Sequence, residues 1–360
     1  MLPNDSQWMA RALQLAQRGL NTTSPNPRVG CVLVKDGKNI GEGWHQRAGQ
    51  PHAEVLALRA AGSATQGATA YVTLEPCSHF GRTPPCAGAL IGAGLSRVVV
   101  AVQDPNPLVS GQGIAALREA GIEVECGLME AAARELNSGF FSRMSRGLPW
   151  VRSKIAASLD GRTALANGTS QWITGEAARS DVQHWRARSC AVLTGIGTVL
   201  ADDPQLNVRI ETERQPLRVV VDSALRIPPD AKIITGGVLI FTACNETHKQ
   251  AALQARGAQV VYLPGIDNRV DLPAMLRELA RRGINEVLVE AGRTLNGALL
   301  KARLVDELVL YLAPQLLGDA ARGMANLGEL TQLDQRLNLV WQEVRHVGND
   351  LRITARINHV

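Results

Sequence analysis

Three side chains that must meet around one metal ion constrain this chain more than any other feature. They are His52, in His52-Ala53-Glu54, Cys77, in Glu75-Pro76-Cys77, and Cys86, in Pro84-Pro85-Cys86. One imidazole and two thiols form the ligand set of a zinc site whose fourth position stays open to water. A fold that gathers them must bring two helix starts and one strand end to the same place. The pattern supplies those elements. His52 to Ala61 reads as a helix ended by Gly62, Thr69 to Leu74 as a strand delivering Cys77, and Pro84-Pro85-Cys86 as a helix start with proline in its first turn. A helix N-terminus also favours the thiolate that zinc requires.

Glu54 stands two residues after the histidine and serves as proton carrier, not ligand. A His-x-Glu followed by Pro-Cys and a second Cys matches the motif of zinc-dependent base deaminases, in which an activated water displaces an exocyclic amine. The usual form has two residues between the cysteines, whereas eight separate Cys77 from Cys86 here. A structural zinc knot remains open as an alternative, with His45 or His79 as a fourth ligand.

The rest of the first half alternates helix and strand. Residues 5–20 have helical spacing, Val29 to Val34 and Ile40 to His45 form a hairpin about Asp36-Gly37, and Arg97 to Val102 is a strand. Gly113 to Ala120 is a helix, Ile122 to Cys126 a strand, and Met129 to Arg146 one long amphipathic helix. These elements predict an α/β/α sandwich on a mixed sheet. Gly147-Leu148-Pro149 marks a junction, giving domains 1–147 and 148–360. In the second half, strands at Trp150 to Ala157, Cys190 to Thr194, Leu217 to Val221, Val238 to Thr242, Gln259 to Leu263 and Glu286 to Glu290 accompany helices at Thr174 to Ala187 and Leu272 to Arg282. A further helix runs to Ala302. Leu308 to Leu312 and Val340 to Ile357 complete a second α/β domain, with a largely parallel sheet and late antiparallel strands.

At 360 residues the chain has room for two cores. No apolar run approaches the ~18 residues of a membrane span, and Met1 to Ser6 lacks the basic and apolar regions of a secretory signal. A cytosolic, reduced protein is expected, with Cys31, Cys126, Cys190 and Cys244 as small buried hydrophobes. The net charge of +5 is spread over both halves without a basic stripe, so nucleic acid is not expected as a partner.

Taken together, these segments resemble the bifunctional deaminase–reductase of riboflavin biosynthesis. The resemblance rests on Pro25-Asn26-Pro27-Arg28-Val29-Gly30, His52-Ala53-Glu54-Val55, the run from Glu75 to Cys86, and Asp104-Pro105-Asn106-Pro107. In the second half it rests on Lys154 to Gly161, Ser170-Gln171-Trp172-Ile173-Thr174, Gly195-Ile196-Gly197-Thr198, Asp202-Asp203-Pro204 and Glu290-Ala291-Gly292. The eight-residue spacing between the cysteines is this family's own form.

The resemblance implies a cytidine-deaminase-like α/β/α first domain and a dihydrofolate-reductase-like α/β second domain. It implies Zn2+ and NADPH as cofactors. It also implies deamination of 2,5-diamino-6-ribosylamino-4(3H)-pyrimidinone 5′-phosphate, followed by reduction of the ribosyl chain. Asn26, His45 and Arg82 would contact the pyrimidine of the first reaction. In the second domain Ala156, Trp172, Thr198, Asp202, Ser223 and the segment Gly292, Arg293, Thr294, Leu295, Asn296, Gly297 and Ala298 would contact NADPH. Ser170, Arg186, Leu206, Arg209 and Glu290 would contact substrate. Arg186 and Arg209 suit a phosphate, which a guanidinium binds bidentately, and Gly292 to Gly297 lies between a strand and a helix, where phosphates bind. Small phosphorylated pyrimidines are the expected partners, and a dimer or larger homo-oligomer the expected assembly. A nucleotide or tRNA base deaminase fused to an unrelated reductase is the rival reading.

Overall fold

Short apolar strands with side chains buried on both faces need a helical layer on each side. The computed structural model, which describes residues 4–78, 85–107 and 109–358, has two sheets of this kind. They lie in separate units, Met1–Gly147 and Leu148–Val360.

In the first unit the strands are β1 (Gly30–Lys35), β2 (Lys38–Trp44), β3 (Thr69–Val72), β4 (Arg97–Val100) and β5 (Glu123–Cys126). Their order is β2-β1-β3-β4-β5. β1 runs antiparallel to β2 and β3, while β3, β4 and β5 are parallel. The helices are α1 (Asp5–Gln17), α2 (Ala53–Ala61), α3 (Cys86–Gly92), α4 (Gln112–Glu119), α5 (Glu130–Leu136) and α6 (Ser138–Arg146). Period-two alternation divides the apolar side chains between two cores. Cys31, Leu33, Val72, Val98 and Val100 pack with α2, α3 and α4. Val32, Tyr71 and Val99 pack with Met9 of α1 and Phe140 and Phe141 of α6. The β1–β2 turn places Asp36 and Gly37 at φ 50° and 71°, the positive pair a tight hairpin demands. Helix α2 lies directly on β2, because Gly41 and Gly43 leave it room. A Cβ there would come within 2.4 Å of Ala57 O and 2.6 Å of Ala53 O. This contact sets where His52 begins α2.

The long helix expected over Met129 to Arg146 is two helices, broken at Asn137. Its backbone leaves the helical region (φ −115°, ψ 22°). Its amide accepts from Arg28 N–H at 2.8 Å and donates to Arg28 O at 2.9 Å, a side-chain-to-backbone pairing that competes with the helix. Of the four cysteines expected to be buried, Cys31 and Cys190 are. Cys126 is exposed on edge strand β5, and Cys244 is half-buried.

In the second unit the strands are β6 (Trp150–Ser158), β7 (Arg162–Ala164), β8 (Ala191–Gly195), β9 (Leu217–Val221), β10 (Val238–Thr242), β11 (Ala258–Tyr262), β12 (Glu286–Val289), β13 (Glu307–Ala313), β14 (Arg322–Gly323), β15 (Leu339–Val347) and β16 (Asp350–Ile357). The helices are α7 (Glu176–Arg188), α8 (Ile196–Asp202), α9 (Thr247–Ala255), α10 (Leu272–Arg281) and α11 (Arg293–Lys301). Nine strands form one sheet in the order β11-β10-β9-β8-β12-β6-β13-β16-β15. The run from β11 to β13 is parallel, and β16 and β15 join it antiparallel. Adjacent strands β8 and β12 end where α8 and α11 begin, so two helix N-termini stand side by side at the carboxyl edge of the sheet. Open parallel sheets bind ligands at this edge. The small β7–β14 ribbon and α9 were not foreseen from the pattern; Leu253 is the one buried residue of α9. No helix among the described residues is long and apolar enough to cross a membrane.

Candidate functional site

In the first unit His52 is the N-cap of α2, Cys86 is the first residue of α3, and Cys77 follows the end of β3. The His52 Nδ1 atom lies 3.2 Å from Cys86 Sγ and 3.6 Å from Cys77 Sγ. All three ligand atoms lie within 4.8 Å of one another, and this is the one such metal-capable group among the described residues. Tetrahedral zinc, with Zn–S near ~2.3 Å and Zn–N near ~2.05 Å, separates its nitrogen and sulfur ligands by about 3.6 Å. The trio therefore fits zinc.

Protonation points the same way. The Cys86 thiol donates to Cys77, which with His52 alongside brings the Cys77 thiol down to about 4. The same shared proton holds Cys86 far above its usual range, and the bond to Cys77 raises His52. The Cys86 backbone N–H, at the start of α3, adds a 3.4 Å contact to Cys77 Sγ and so favours the thiolate form of Cys77. Glu54 sits in the first turn of α2 at 3 % exposure, with Oε2 buried and lacking a hydrogen-bond partner. Burial pushes its carboxyl up to about 7. A carboxyl able to carry a proton near neutrality, beside a water-activating metal site, has the properties of a general acid–base.

His45 and Asn26 join this site. The Asn26 amide lies 3.1 Å from His45 Nε2, and His45 Nδ1 lies 3.2 Å from Pro51 O. A proton on Nδ1 satisfies the Pro51 carbonyl and leaves Nε2 to accept from Asn26. The His45 ring meets His52 edge-on at 5.2 Å between centroids. With both nitrogens engaged, His45 does not serve as a fourth metal ligand, and the site stays open on that side. His79 and Arg82 lie outside the described residues.

In the second unit, Glu290 follows the end of β12. Arg186 donates to it from Nε at 2.5 Å and from Nη2 at 3.0 Å, and Lys154 Nζ lies 3.3 Å from the same carboxylate. Burial alone would raise Glu290, but Arg186 and Lys154 bring it down to about 2. Arg186 Nη1 also donates to Asn207 O at 3.0 Å, drawing in the segment that carries buried Leu206 and exposed Arg209, whose N–H bonds Gln183 Oε1 at 3.0 Å. Arg186 is thus committed to Glu290 and Asn207, while the Arg209 side chain is exposed. Lys154, which on sequence grounds could influence the substrate or face solvent, joins this group from β6.

The proposed cofactor residues fall into two sets. Gly292, Arg293 and Thr294 are exposed where α11 begins, and Asp202 is exposed at the end of α8. A Cβ on Gly292 would meet nothing nearer than Thr198 Oγ1 at 4.0 Å, and one on Gly197 nothing at all. This open cradle before two helix N-termini suits a dinucleotide phosphate. Leu295, Asn296 and Gly297 are buried instead. Asn296 donates to Ala291 O at 3.0 Å, and a Cβ on Gly297 would come within 2.2 Å of Asn326 O. These three shape the cradle from beneath. Ala298 is half-buried on α11. Ser223 Oγ accepts from Val270 N–H at 3.1 Å, and Ala156 and Ser170 are half-buried. Trp172 is 70 % exposed, with the Arg179 guanidinium 4.6 Å over its ring.

Comparison with known proteins follows the same division. Residues 2–102 match the cytidine and deoxycytidylate deaminase zinc-binding region, and residues 149–353 match the RibD C-terminal domain. The riboflavin biosynthesis protein RibD of Escherichia coli is 51% identical over 361 residues, covering 96% of this chain and 98% of that one. That of Aquifex aeolicus is 42% identical, covering 97% of each. The crystal form 1 structure of Acinetobacter baumannii RibD superposes with a TM-score of 0.92 at 49% identity over 100% of both chains. A Thermotoga maritima diaminohydroxyphosphoribosylaminopyrimidine deaminase/5-amino-6-(5-phosphoribosylamino)uracil reductase superposes at 0.87 with 32% identity, covering 98% of this chain and 99% of that one. With half its residues shared with a relative over nearly full length, and both halves matched in order, the chain belongs to the RibD family of riboflavin biosynthesis proteins.

Proposed function

We propose that the two activities of this bifunctional family are divided between the two units: zinc-dependent deamination in residues 1–147 and NADPH-dependent reduction in residues 148–360. The substrates are small phosphorylated pyrimidines. The first is 2,5-diamino-6-ribosylamino-4(3H)-pyrimidinone 5′-phosphate, and the second is 5-amino-6-(5-phosphoribosylamino)uracil, whose ribosyl chain becomes ribityl.

His52, Cys77 and Cys86 hold the zinc, which when bound supplies a water activated at neutral pH. Glu54 would take one proton from the attacking water and deliver it to the ring nitrogen, then take the proton of the hydroxyl so formed on the carbon and deliver it to the departing amine. Water and an amino carbon thus become a carbonyl and ammonia. Asn26 and His45, linked at 3.1 Å, orient the pyrimidine beside His52, with Arg82 as a further substrate contact.

In the second unit NADPH, when bound, supplies a hydride. Thr198, Asp202, Ser223, Ala156, Trp172 and the Gly292–Ala298 segment would hold it, the helix starts of α8 and α11 offering backbone N–H groups suited to phosphate. Ser170, Leu206, Arg186, Glu290 and Arg209 receive the substrate. Glu290, held ionised by Arg186 and Lys154, offers an acceptor to ribosyl hydroxyls, and Arg209 offers a cation to the phosphate.

The observation that carries the reading is the convergence of three ligand atoms within 4.8 Å beside an unpartnered buried Glu54 oxygen. A homo-oligomer, dimer or larger, is the proposed assembly; exposed Val340, Trp341 and Val344 on edge strand β15 support it. A cytoplasmic location is supported by six cysteines, none in a disulfide. Nucleic acid is not a proposed partner, since the charge of +5 is dispersed. The test is one coupled assay on zinc-loaded protein. The diaminopyrimidine should release ammonia without NADPH, and with NADPH added should oxidise one equivalent per ammonia. Preferential release of ammonia from cytidine or deoxycytidylate would instead favour a nucleotide deaminase joined to an unrelated reductase.

A further inference from the structure

We propose that Glu75, through a carboxylate clamped by four backbone N–H groups, fixes where Cys77 Sγ stands relative to Cys86 and His52, and so sets how tightly the centre holds zinc. The proposal rests on the metal reading above. Glu75 is a positioning residue; its carboxylate does not join the trio.

Glu75 is 3 % exposed. Its Oε1 accepts from Gly113 N at 2.9 Å and Ile114 N at 3.2 Å, and its Oε2 from Gly111 N at 2.9 Å and Asp104 N at 3.1 Å. Three of those donors belong to the opening of α4. That helix has Gly111 at its N-cap, at φ 81°, and so has no side chain of its own with which to cap. The first N–H groups of a helix need an acceptor, and an anion there also meets the favourable end of the helix dipole. Here the acceptor comes from the strand end that carries the metal ligand, two residues before it.

The helix presses on the intervening residue as well. A Cβ on Gly113 would fall 1.9 Å from Pro76 O, so α4 lies directly against the peptide joining Pro76 to Cys77. On the far side Cys77 O accepts from Ala87 N at 3.1 Å, which ties it to α3. Helix α4 packs against α3, whose first residue is Cys86. One helix therefore braces both thiol-bearing segments, and Glu75 is the bond between that brace and Cys77. Charge-assisted bonds from four donors hold a position more rigidly than packing of a short loop could.

Glu75→Gln keeps the shape but turns an NH2 toward backbone N–H groups, so donors face donors. Zinc affinity of the full-length chain is read by chelator competition, alongside cobalt substitution, in which the thiolate-to-cobalt charge-transfer band reports how many sulfurs ligate. The expected result is a dissociation constant raised roughly 10- to 100-fold, the range for groups that orient metal ligands, and a weakened sulfur band. Reductase activity, belonging to the other unit, should be unchanged, and a cooperative melting transition of the first unit shows that the mutated unit is folded.

Wild-type affinity with an unaltered cobalt spectrum in Glu75→Gln would overturn the proposal, even if melting temperature fell, because α4 would then be capped without consequence for Cys77. Should Glu75→Gln not fold, Glu75→Asp carries the same test. It keeps the charge but withdraws it by one methylene, and should weaken zinc binding to a lesser degree; unchanged affinity would again overturn the proposal. A wild-type chain that takes up no zinc would overturn the metal reading itself, and is told apart from failure at Glu75 alone by the wild-type titration.

Discussion

Arg186→Met should destabilise the second unit by an amount the structure allows to be worked out. Glu290 stands at about 2 against an ordinary value of 4.5. That difference of about 2.5 pH units, at ~1.4 kcal/mol each, makes the folded state's preference for ionised Glu290 worth about 3 kcal/mol. Arg186 is the larger contributor, with two bonds at 2.5 and 3.0 Å against one from Lys154 at 3.3 Å. Removing one partner of a buried pair costs roughly 3–5 kcal/mol, since the remaining charge is left desolvated. Taking about 3 kcal/mol, and ~2–4 °C per kcal/mol for a unit of 150–250 residues, the melting transition should fall by roughly 6–12 °C. Calorimetry of the full chain is the assay. Zinc shifts the transition of the first unit alone, which identifies the other. The sign with pH follows from the lowered carboxyl. Its stabilisation is complete above about 4.5 and drains away as pH falls toward about 2. Arg186→Met should lose most of that acid-side slope. A melting shift below about 2 °C, with the wild-type acid profile retained, would refute the view of Arg186 and Glu290 as a desolvated ion pair. Partial recovery in Arg186→Met/Glu290→Gln would support it.

Three further outcomes are expected. Glu54→Gln should retain zinc by metal analysis but lose roughly 10²- to 10⁴-fold in the rate of ammonia release, the usual worth of a positioned general acid–base, with reduction of the deaminated substrate intact. Dialysis against a zinc chelator should abolish deamination and leave NADPH oxidation on the second substrate untouched, with zinc addition restoring the first activity; loss of both would contradict the division between units. Arg209→Ala should raise KM for the phosphorylated substrate of the reductase with little change in KM for NADPH, and an unchanged substrate KM would remove Arg209 from that site.

Much of the architecture was legible because its signals are local. Strands Leu217–Val221 and Val238–Thr242 stand where short, mostly apolar runs placed them, and the hairpin at Asp36-Gly37 announces its positive φ values. His52 and Cys86 at helix starts could be read from their flanking residues. The misreadings came from interactions distant in sequence. Nothing near Asn137 reveals that its amide will bind the backbone of Arg28, 109 positions earlier, and split a helix. The exposure of Cys126 depends on β5 being an edge, a property of strand order that an apolar neighbourhood does not disclose. In the second unit, Lys154 reaches Glu290 only because parallel pairing sets β6 beside β12, and Arg186 reaches the same carboxylate from α7. Glu75 lay in plain view before Pro76-Cys77, yet its four N–H partners all come from residues 104–114.

The most direct test is X-ray absorption at the zinc edge on purified, zinc-replete protein. The account predicts one zinc per chain bound by two sulfurs at about 2.3 Å, one imidazole nitrogen and one light atom from water, with the sulfur count lowered in Cys77→Ser and in Cys86→Ser. No zinc, or zinc enclosed by four protein side chains, would contradict it.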